Sequence, residues 1–328
     1  MASNNPIDAV ITWVDSNDEN HRKKLNKYIN LYFGTNIPTD DIAGETRYNS
    51  IGEIKYCVAS ILRFAPFIRK IFIVTDNQDP QIESYINQYF PDRTTQIEIV
   101  DHKIIFKGYE EYLPVFNSLS IETMLWRIPD LSNNFVYFND DVFLMAPVKI
   151  SDWFVDDKVV AYGYWHYYFT AWLLDKYKIL TQKGKKMFSY KDSMRNAAVL
   201  LNAKYKFWRI VHVPFALKKD AMETYFNEHQ DQLLRNISSR FRSHNQFNPQ
   251  SLFYTLQSKN GKCVHCFNKN KYFYIKPSER NYQYMEREIK KYEKNGELIF
   301  SCMNSLDQAE SLAQEYLLNW LKRTIKVN

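Results

Sequence analysis

The run Asn134-Phe135-Val136-Tyr137-Phe138-Asn139 leads straight into two adjacent carboxylates, Asp140 and Asp141. Its apolar, β-branched and aromatic content is that of a strand covered on both faces. In open α/β sheets, ligands bind where such strands end. Two hard oxygen donors at that place suit a divalent cation that holds a diphosphate. An isolated Asp-Asp pair is more often a cap followed by a solvated side chain, so the weight falls on what surrounds it.

The elements that must position the pair alternate in type. Residues 7–14 read as a strand ending at Asp15, residues 69–75 as a second ending at Asp76-Asn77, and residues 96–100 as a third. Ile51, Ile54, Val58, Ile61 and Leu62 fall on one helical face, which predicts a helix over residues 50–64 stopped near Pro66. Residues 80–89 read as helical too. Ile121, Met124, Leu125 and Ile128 mark a further helix closed by Pro129. This rhythm implies an α/β fold with a largely parallel, Rossmann-like sheet and right-handed crossovers. Asp15, Asp76-Asn77 and Asp140-Asp141 then share one rim of that sheet.

The C-terminal half reads as more helical. A strand is expected at 159–165, and helices near 168–180, 193–203, 214–227 and 249–258. The tail carries a patterned helix through Ala309, Leu312, Ala313, Tyr316, Leu317, Trp320 and Leu321, with Ser305 and Gln308 as a capping box. Its stripe is that of a helix docked on a core rather than a membrane anchor. Residues 269–294, basic and rich in Tyr, read as a mobile or partner-facing segment.

Composition narrows the function classes. With 328 residues and 45% hydrophobic content, the chain can bury one large core or two modest ones. Tyr (24), Phe (22) and Trp (7) are abundant while Gly is scarce at 8, which argues against a Gly-rich phosphate loop. The net charge of +6 fits anionic substrates or a lipid surface; no motif points to nucleic acid. Residues 1–6 lack an apolar signal core, and no window approaches the ~18 apolar residues of a membrane span. Cys57, Cys263, Cys266 and Cys302 form no secreted-type framework. The expectation is a cytoplasmic protein that could work at the inner face of the plasma membrane. Cys263-Val264-His265-Cys266 offers three zinc donors with Cys302 as an obvious fourth, but lacks the second spaced pair of a strong zinc site.

Four blocks, in order along the chain, resemble the Stealth family of sugar-1-phosphate transferases. They are Ile11-Thr12-Trp13-Val14-Asp15; Arg47-Tyr48 with Glu53-Ile54-Lys55-Tyr56 and residues 68–77; residues 116–144, with Ile121-Glu122, Arg127-Ile128-Pro129 and Asn139-Asp140-Asp141; and, more loosely, His212-Val213-Pro214, Phe241-Arg242-Ser243 and Cys302-Met303-Asn304. Leu119 stands where many bacterial members have His, Ser305 where many have Asp, and His244-Asn245-Gln246 where an acidic residue usually follows Arg242. These departures bear on the acceptor more than on the reaction type.

The resemblance implies a glycosyltransferase-like core over residues 1–150 that binds a nucleotide sugar, and a helical acceptor-side region over 151–328 that completes the catalytic unit. It implies transfer of a hexose or N-acetylhexosamine phosphate from a nucleotide-diphosphate sugar, usually uridine-linked. The acceptor is a hydroxyl of a glycan or lipid-linked oligosaccharide in capsular or cell-surface polysaccharide, and UMP is released. Such transfer relies on positioning and charge neutralisation. Asp140 and Asp141 are then the ligands of Mg2+ or Mn2+, with Asp15 beside them. Arg47 and Arg242 are phosphoryl clamps. His212 is a base, a phosphate ligand or a packed loop histidine; Glu122 is a base, or a residue that caps and solvates its helix. Trp13 stacks near the nucleotide or packs in the core, Asn77 contacts substrate, and Arg195-Asn196 reads the sugar. Two other classes stay open: a metal-dependent glycosyltransferase releasing UDP, and a non-catalytic carbohydrate-binding scaffold that uses its aromatics as stacking platforms.

Overall fold

The computed structural model describes residues 5–34, 51–170, 173 and 190–327. The first half builds the sheet that the sequence pattern implies. Strand β1 (Ile7–Thr12) is followed by helix α1 (Glu19–Phe33), helix α2 (Glu53–Phe64), β2 (Ile68–Thr75), α3 (Glu83–Tyr89) and β3 (Gln96–Asp101). After a single helical turn at His102–Ile105 come α4 (Ser118–Met124) and β4 (Asn134–Asn139). β1 runs parallel to both β2 and β4, and β2 parallel to β3. The acidic ends of β1, β2 and β4 therefore lie on one edge. Phe135, Val136, Tyr137 and Phe138 of β4 are wholly buried, as a strand covered on both faces requires.

β5 (Val142–Leu144) leaves this sheet directly after Asp141 and joins another. There follow β6 (Phe154–Val155), β7 (Lys158–Tyr167), α5 (Tyr190–Leu200), β8 (Lys206–Ile210), β9 (Phe215–Lys218), α6 (Lys219–Glu228), α7 (Gln230–Ile237) and α8 (Pro249–Lys259). The chain ends with β10 (Cys263–Cys266), β11 (Tyr272–Ile275), α9 (Tyr282–Asn295), β12 (Phe300–Met303) and α10 (Ser311–Ile325). The main sheet has the order β3-β2-β1-β4-β9, a second sheet carries β10-β7-β6 with β8 on β7, and a third runs β11-β12-β5.

Several readings of the second half need correction. The helix expected over 214–227 is two elements, because Phe215–Lys218 pairs antiparallel with β4 as an edge strand before α6 begins. A four-residue strand is too short for a period to show. Ser305 does not cap the tail helix: it sits at φ 59° before a 3₁₀ turn, and α10 starts after Glu310 without a side-chain cap. That helix does dock, burying Ala313, Leu317, Trp320 and Leu321. Residues 269–294 are built into the fold through β11 and α9, with Phe273 against Tyr292 and Trp320. α1 escapes a pattern reading because it buries only His21 and Leu25 on a polar helix. Most of the helix expected at 168–180 lies outside the described residues. Among the described residues no helix is long and apolar enough to cross a membrane.

Candidate active site

A cavity of about 470 Å³ opens at the C-terminal edge of the main sheet. Thr12, Trp13 and Val14 line it at and just past the end of β1, Asn139, Asp140 and Asp141 at and just past the end of β4, and His212 before β9. α4 contributes Ser118, Ile121 and Glu122, and Arg242 enters from the loop after α7. The rim expected from strand ends is thus where the cavity lies, roofed by residues distant in sequence.

Asp140 and Asp141 occupy the link between two sheets. The backbone carbonyl of Asp141 accepts from Met303 N at 3.0 Å, and its Oδ2 accepts from Asn304 Nδ2 at 3.2 Å. Its Oδ1 is buried with no hydrogen-bond donor among the described residues. Burial, reinforced by the charges of Asp141 and Glu53, pushes the Asp140 carboxyl well above the usual carboxylate range. Burial likewise raises Glu53, with Asp141 and Asp307 adding to the effect. Four acidic groups therefore crowd one wall. No group of three or more His, Cys, Asp or Glu side chains with metal-ligand geometry forms among the described residues. The donor set nonetheless fits a magnesium-type ion, which takes one or two carboxylates and completes its shell with phosphate oxygens and water. The unsatisfied Asp141 Oδ1 is the observation behind that fit.

Glu122 is not at the solvent face of its helix. It is 5% exposed, because α7 and α8 cover that side of α4. Its Oε2 accepts from Gln250 Nε2 at 2.9 Å, and its Oε1 lies 3.2 Å from the Tyr137 hydroxyl, which also meets Asn139 Oδ1 at 2.6 Å and the Thr12 hydroxyl at 2.9 Å. Burial raises its pKa despite the Gln250 bond and the nearby Arg242 charge.

Arg242 Nη2 donates to Ser118 Oγ at 3.3 Å. Its loop is fixed by a buried amide network. Gln246 Oε1 accepts from Asn117 Nδ2 at 2.7 Å and Ser243 N at 3.0 Å, while its Nε2 donates to Asn236 O at 2.8 Å and Ser120 Oγ at 3.1 Å. The amide uses its full bonding capacity. Gln246, the last residue of the His244-Asn245-Gln246 run, thus works as an internal brace. Phe241, stacked on Phe116 at 5.4 Å, anchors the other side of Arg242.

His212 is held between the rings of Tyr190, at 5.9 Å, and Tyr274, at 4.7 Å, both near parallel. Burial lowers its pKa against the pull of Asp141. It is thus at once a packed histidine and a cavity wall. Trp13, 7% exposed, packs in the core and also lines the cavity.

Other expected site residues are not brought to the walls. The Asp15 carboxylate accepts from Asn17 N at 2.8 Å, and its backbone is clasped by Gln78. Asn77 is exposed, at φ 54°. Arg195 pairs with Asp192 of its own helix at 3.3 Å, and Asn196 Nδ2 donates to His244 O and Gln246 O at 2.8 Å each. Arg47 lies outside the described residues. Conversely Glu53, Lys276, Asn304 and Asp307 reach the cavity without having been assigned a role, although Glu53 and Asn304 sit in the resembling blocks. The cysteine cluster makes no zinc centre: His265 Nε2 bonds Ser258 Oγ at 2.9 Å, its ring packs 4.4 Å from Trp208, and Cys302 is buried in another sheet.

Acidic strand ends of an α/β core and an arginine from a distant loop thus line one cavity, an arrangement open to an enzyme's chemistry. Conserved region 1 of the Stealth proteins matches residues 5–32 and conserved region 2 matches residues 47–162. The second region takes in as one unit what reads as two blocks in the sequence. A capsular polysaccharide phosphotransferase of Haemophilus influenzae is 32% identical over 93% of this chain and 80% of its own length. One from Neisseria meningitidis is 27% identical over 98% and 84%. A receptor polysaccharide phosphotransferase of Streptococcus gordonii is 32% identical over 72% and 73%. The chain belongs to the Stealth family, and it is an enzyme of the phosphotransferase class. Among solved structures, mouse xyloside xylosyltransferase 1 aligns over 91% of this chain and 98% of its own, with TM-score 0.43 and 9% identity. A galactosyltransferase with donor and acceptor sugar analogues aligns over 96% and 95%, with TM-score 0.43 and 11% identity. Likeness at that level carries no weight for the chemistry.

Proposed function

We propose that the chain transfers a sugar-1-phosphate from a uridine-diphosphate sugar to a hydroxyl of a capsular or cell-surface glycan, forming a phosphodiester and releasing UMP. The observation that carries this reading is the convergence of Asp140, Asp141, Arg242 and His212 on one cavity. Phosphoryl transfer needs charge neutralisation and alignment more than covalent participation. When bound there, magnesium or manganese would neutralise diphosphate charge, with Asp140 and Asp141 as its carboxylate ligands. Arg242 supplies a planar donor fork to the transferring phosphoryl oxygens, as its braced loop and the Ser118 contact favour. The acceptor oxygen bonds to phosphorus, the bond from phosphorus to the UMP oxygen breaks, and the sugar C1–O bond is untouched. His212, kept neutral by burial, takes the acceptor proton. Glu122, its oxygens occupied by internal partners, orients Arg242 by charge rather than acting as base.

The test is the product. Incubation with a panel of nucleotide sugars should release UMP and leave a phosphodiester resonance in the phosphorus NMR spectrum of the glycan. Release of UDP with a phosphorus-free glycan would establish a glycosyltransferase instead.

A further inference from the structure

The basic, Tyr-rich stretch 269–294 forms a second concavity that shares no lining residue with the catalytic one. It has a volume of about 1060 Å³ and lies between α9 and the 3₁₀ turn Lys269–Lys271. α9 turns Met285 and Ile289, both wholly buried, toward the core and packs Tyr292 on Phe273 at 4.8 Å. Its other face, Gln283, Glu286, Arg287, Lys290, Lys291 and Lys294, is spaced as one helical stripe along the groove. Lys269 lines the groove from the turn. Five cationic side chains thus meet one carboxylate, Glu286.

Pairing within the protein accounts for only part of this charge. Lys290 Nζ meets Glu286 at 2.9 Å, and Arg287 and Lys291 share Glu288 at 3.6 Å and 3.9 Å. Lys269 and Lys294 form no ion pair with the described residues. All five cations are exposed. Arg287 with Lys291, and Lys290 with Lys294, are like charges at i,i+4, an arrangement that weakens a helix. Local stability therefore does not explain the stripe.

The shape of the stripe selects a class of ligand. From Gln283 to Lys294 the helix covers about 16 Å, more than one phosphate can span. A helix that docks on lipid pairs its basic face with exposed apolar side chains, and α9 exposes no large hydrophobic residue among those described. A single-stranded nucleic acid wants rings to stack on, and the Tyr292 ring is spent on Phe273. What fits is a flexible chain with negative charges repeated along it, as in a glycan joined by phosphodiesters. The place suits such a chain. Lys271 and Lys276 flank β11, about 16 Å apart along the strand, and Lys276 lines the catalytic cavity.

We propose that the groove between Lys269 and α9 is an exosite that holds phosphodiester groups of the glycan already made while its growing end occupies the catalytic cavity. This rests on the sugar-1-phosphate reading above. Each contact is weak, and the grip comes from several at once.

The test is binding of poly(glycerol phosphate) fragments of graded length to the full chain, read by fluorescence anisotropy. Neutral dextran, oligothymidylate and phosphatidylglycerol vesicles serve as comparisons. Wild-type affinity for the fragments should rise with length and fall with added salt. Lys269→Gln, Arg287→Gln and Lys294→Gln together should weaken the longest fragment by about tenfold at low salt, with UDP binding and dextran binding unchanged. Glu286→Gln, which removes the one carboxylate lining the groove, should strengthen it. Unchanged fragment affinity in the triple variant overturns the proposal, as does affinity independent of length. Tighter binding of oligothymidylate than of a fragment of equal charge would make the groove a nucleic-acid surface. Vesicle binding that the triple variant loses, with fragment binding kept, would make it a lipid surface. Failure of the donor reading shows elsewhere: UDP rather than UMP is released from the nucleotide sugar, whatever the groove binds.

Discussion

Asp141 and Glu122 are acids on the same cavity with opposite surroundings. Glu122 has its oxygens met by Gln250 and Tyr137 from inside the protein, whereas Asp141 keeps one oxygen without a donor among the described residues. Burial raises Glu122, yet its partners are all its own chain. Around Asp140 and Asp141 the crowd is of like charge. A carboxylate fully engaged by its own protein has little capacity left for a ligand; one left open among like charges keeps that capacity, which is what the proposed cation would use.

The largest expected effect breaks the open side of that comparison. Asp140→Asn or Asp141→Asn should lower transfer by about three orders of magnitude or more. Folding should stay cooperative, with a melting temperature equal or higher, since a repulsive charge is removed. Chelation should copy the loss in the wild type, and added magnesium or manganese reverse it. Full activity of either variant in chelator would end the metal assignment.

Arg242→Lys should slow the chemical step by roughly two orders of magnitude, because the ammonium keeps charge and loses the planar fork. Single-turnover rates measure it; a silent substitution would make Arg242 structural. Glu122→Gln tests the engaged side, and a fall of about tenfold is expected, through Arg242. Combined with Arg242→Lys it should add little further. Additive losses would instead give Glu122 a role of its own, including that of base.

The smallest effect is on stability. The folded pKa of His102 is lowered to about 4, against about 6.5 in an unfolded chain. As pH falls between these values the unfolded state binds a proton that the folded state refuses. Stability therefore declines, by about 3 kcal/mol in all, and levels off below the lower value. Asp76, held low by His21 and Lys24 although burial works to raise it, keeps its contribution until more acid conditions. Denaturant titrations from pH 7 to pH 4 should show the decline in the wild type and a shallower one in His102→Phe, His212, lowered by burial too, supplying part of the remainder.

The regular half of the molecule was readable in the sequence because its strands are long, covered on both faces and punctuated by acids. Asp140 and Asp141 follow from that pattern alone. The roof of the site was not. Asn304, Lys276 and Asp307 come from far along the chain, on short strands and turns whose pairing is decided by long-range contacts. Glu122 read as either a base or a residue solvating its helix, because a helix's polar side carries no mark of a second cover, and α7 and α8 supply one. Asp15, Asn77, Arg195 and Asn196 show the converse. Strand ends and helix faces place backbone on a rim, but turn closure and loop bracing then claim those side chains.

The junction of β4 with β5 has a consequence for how the enzyme comes into being. Asp141 is set by Met303 and Asn304, at the end of a strand near the C-terminus. A chain leaving the ribosome would expose both conserved regions well before that strand is made. It would carry the acids and most of the sheet before their brace, so the Asp141 carboxylate takes its set position only once β12 and Asn304 have been made and docked.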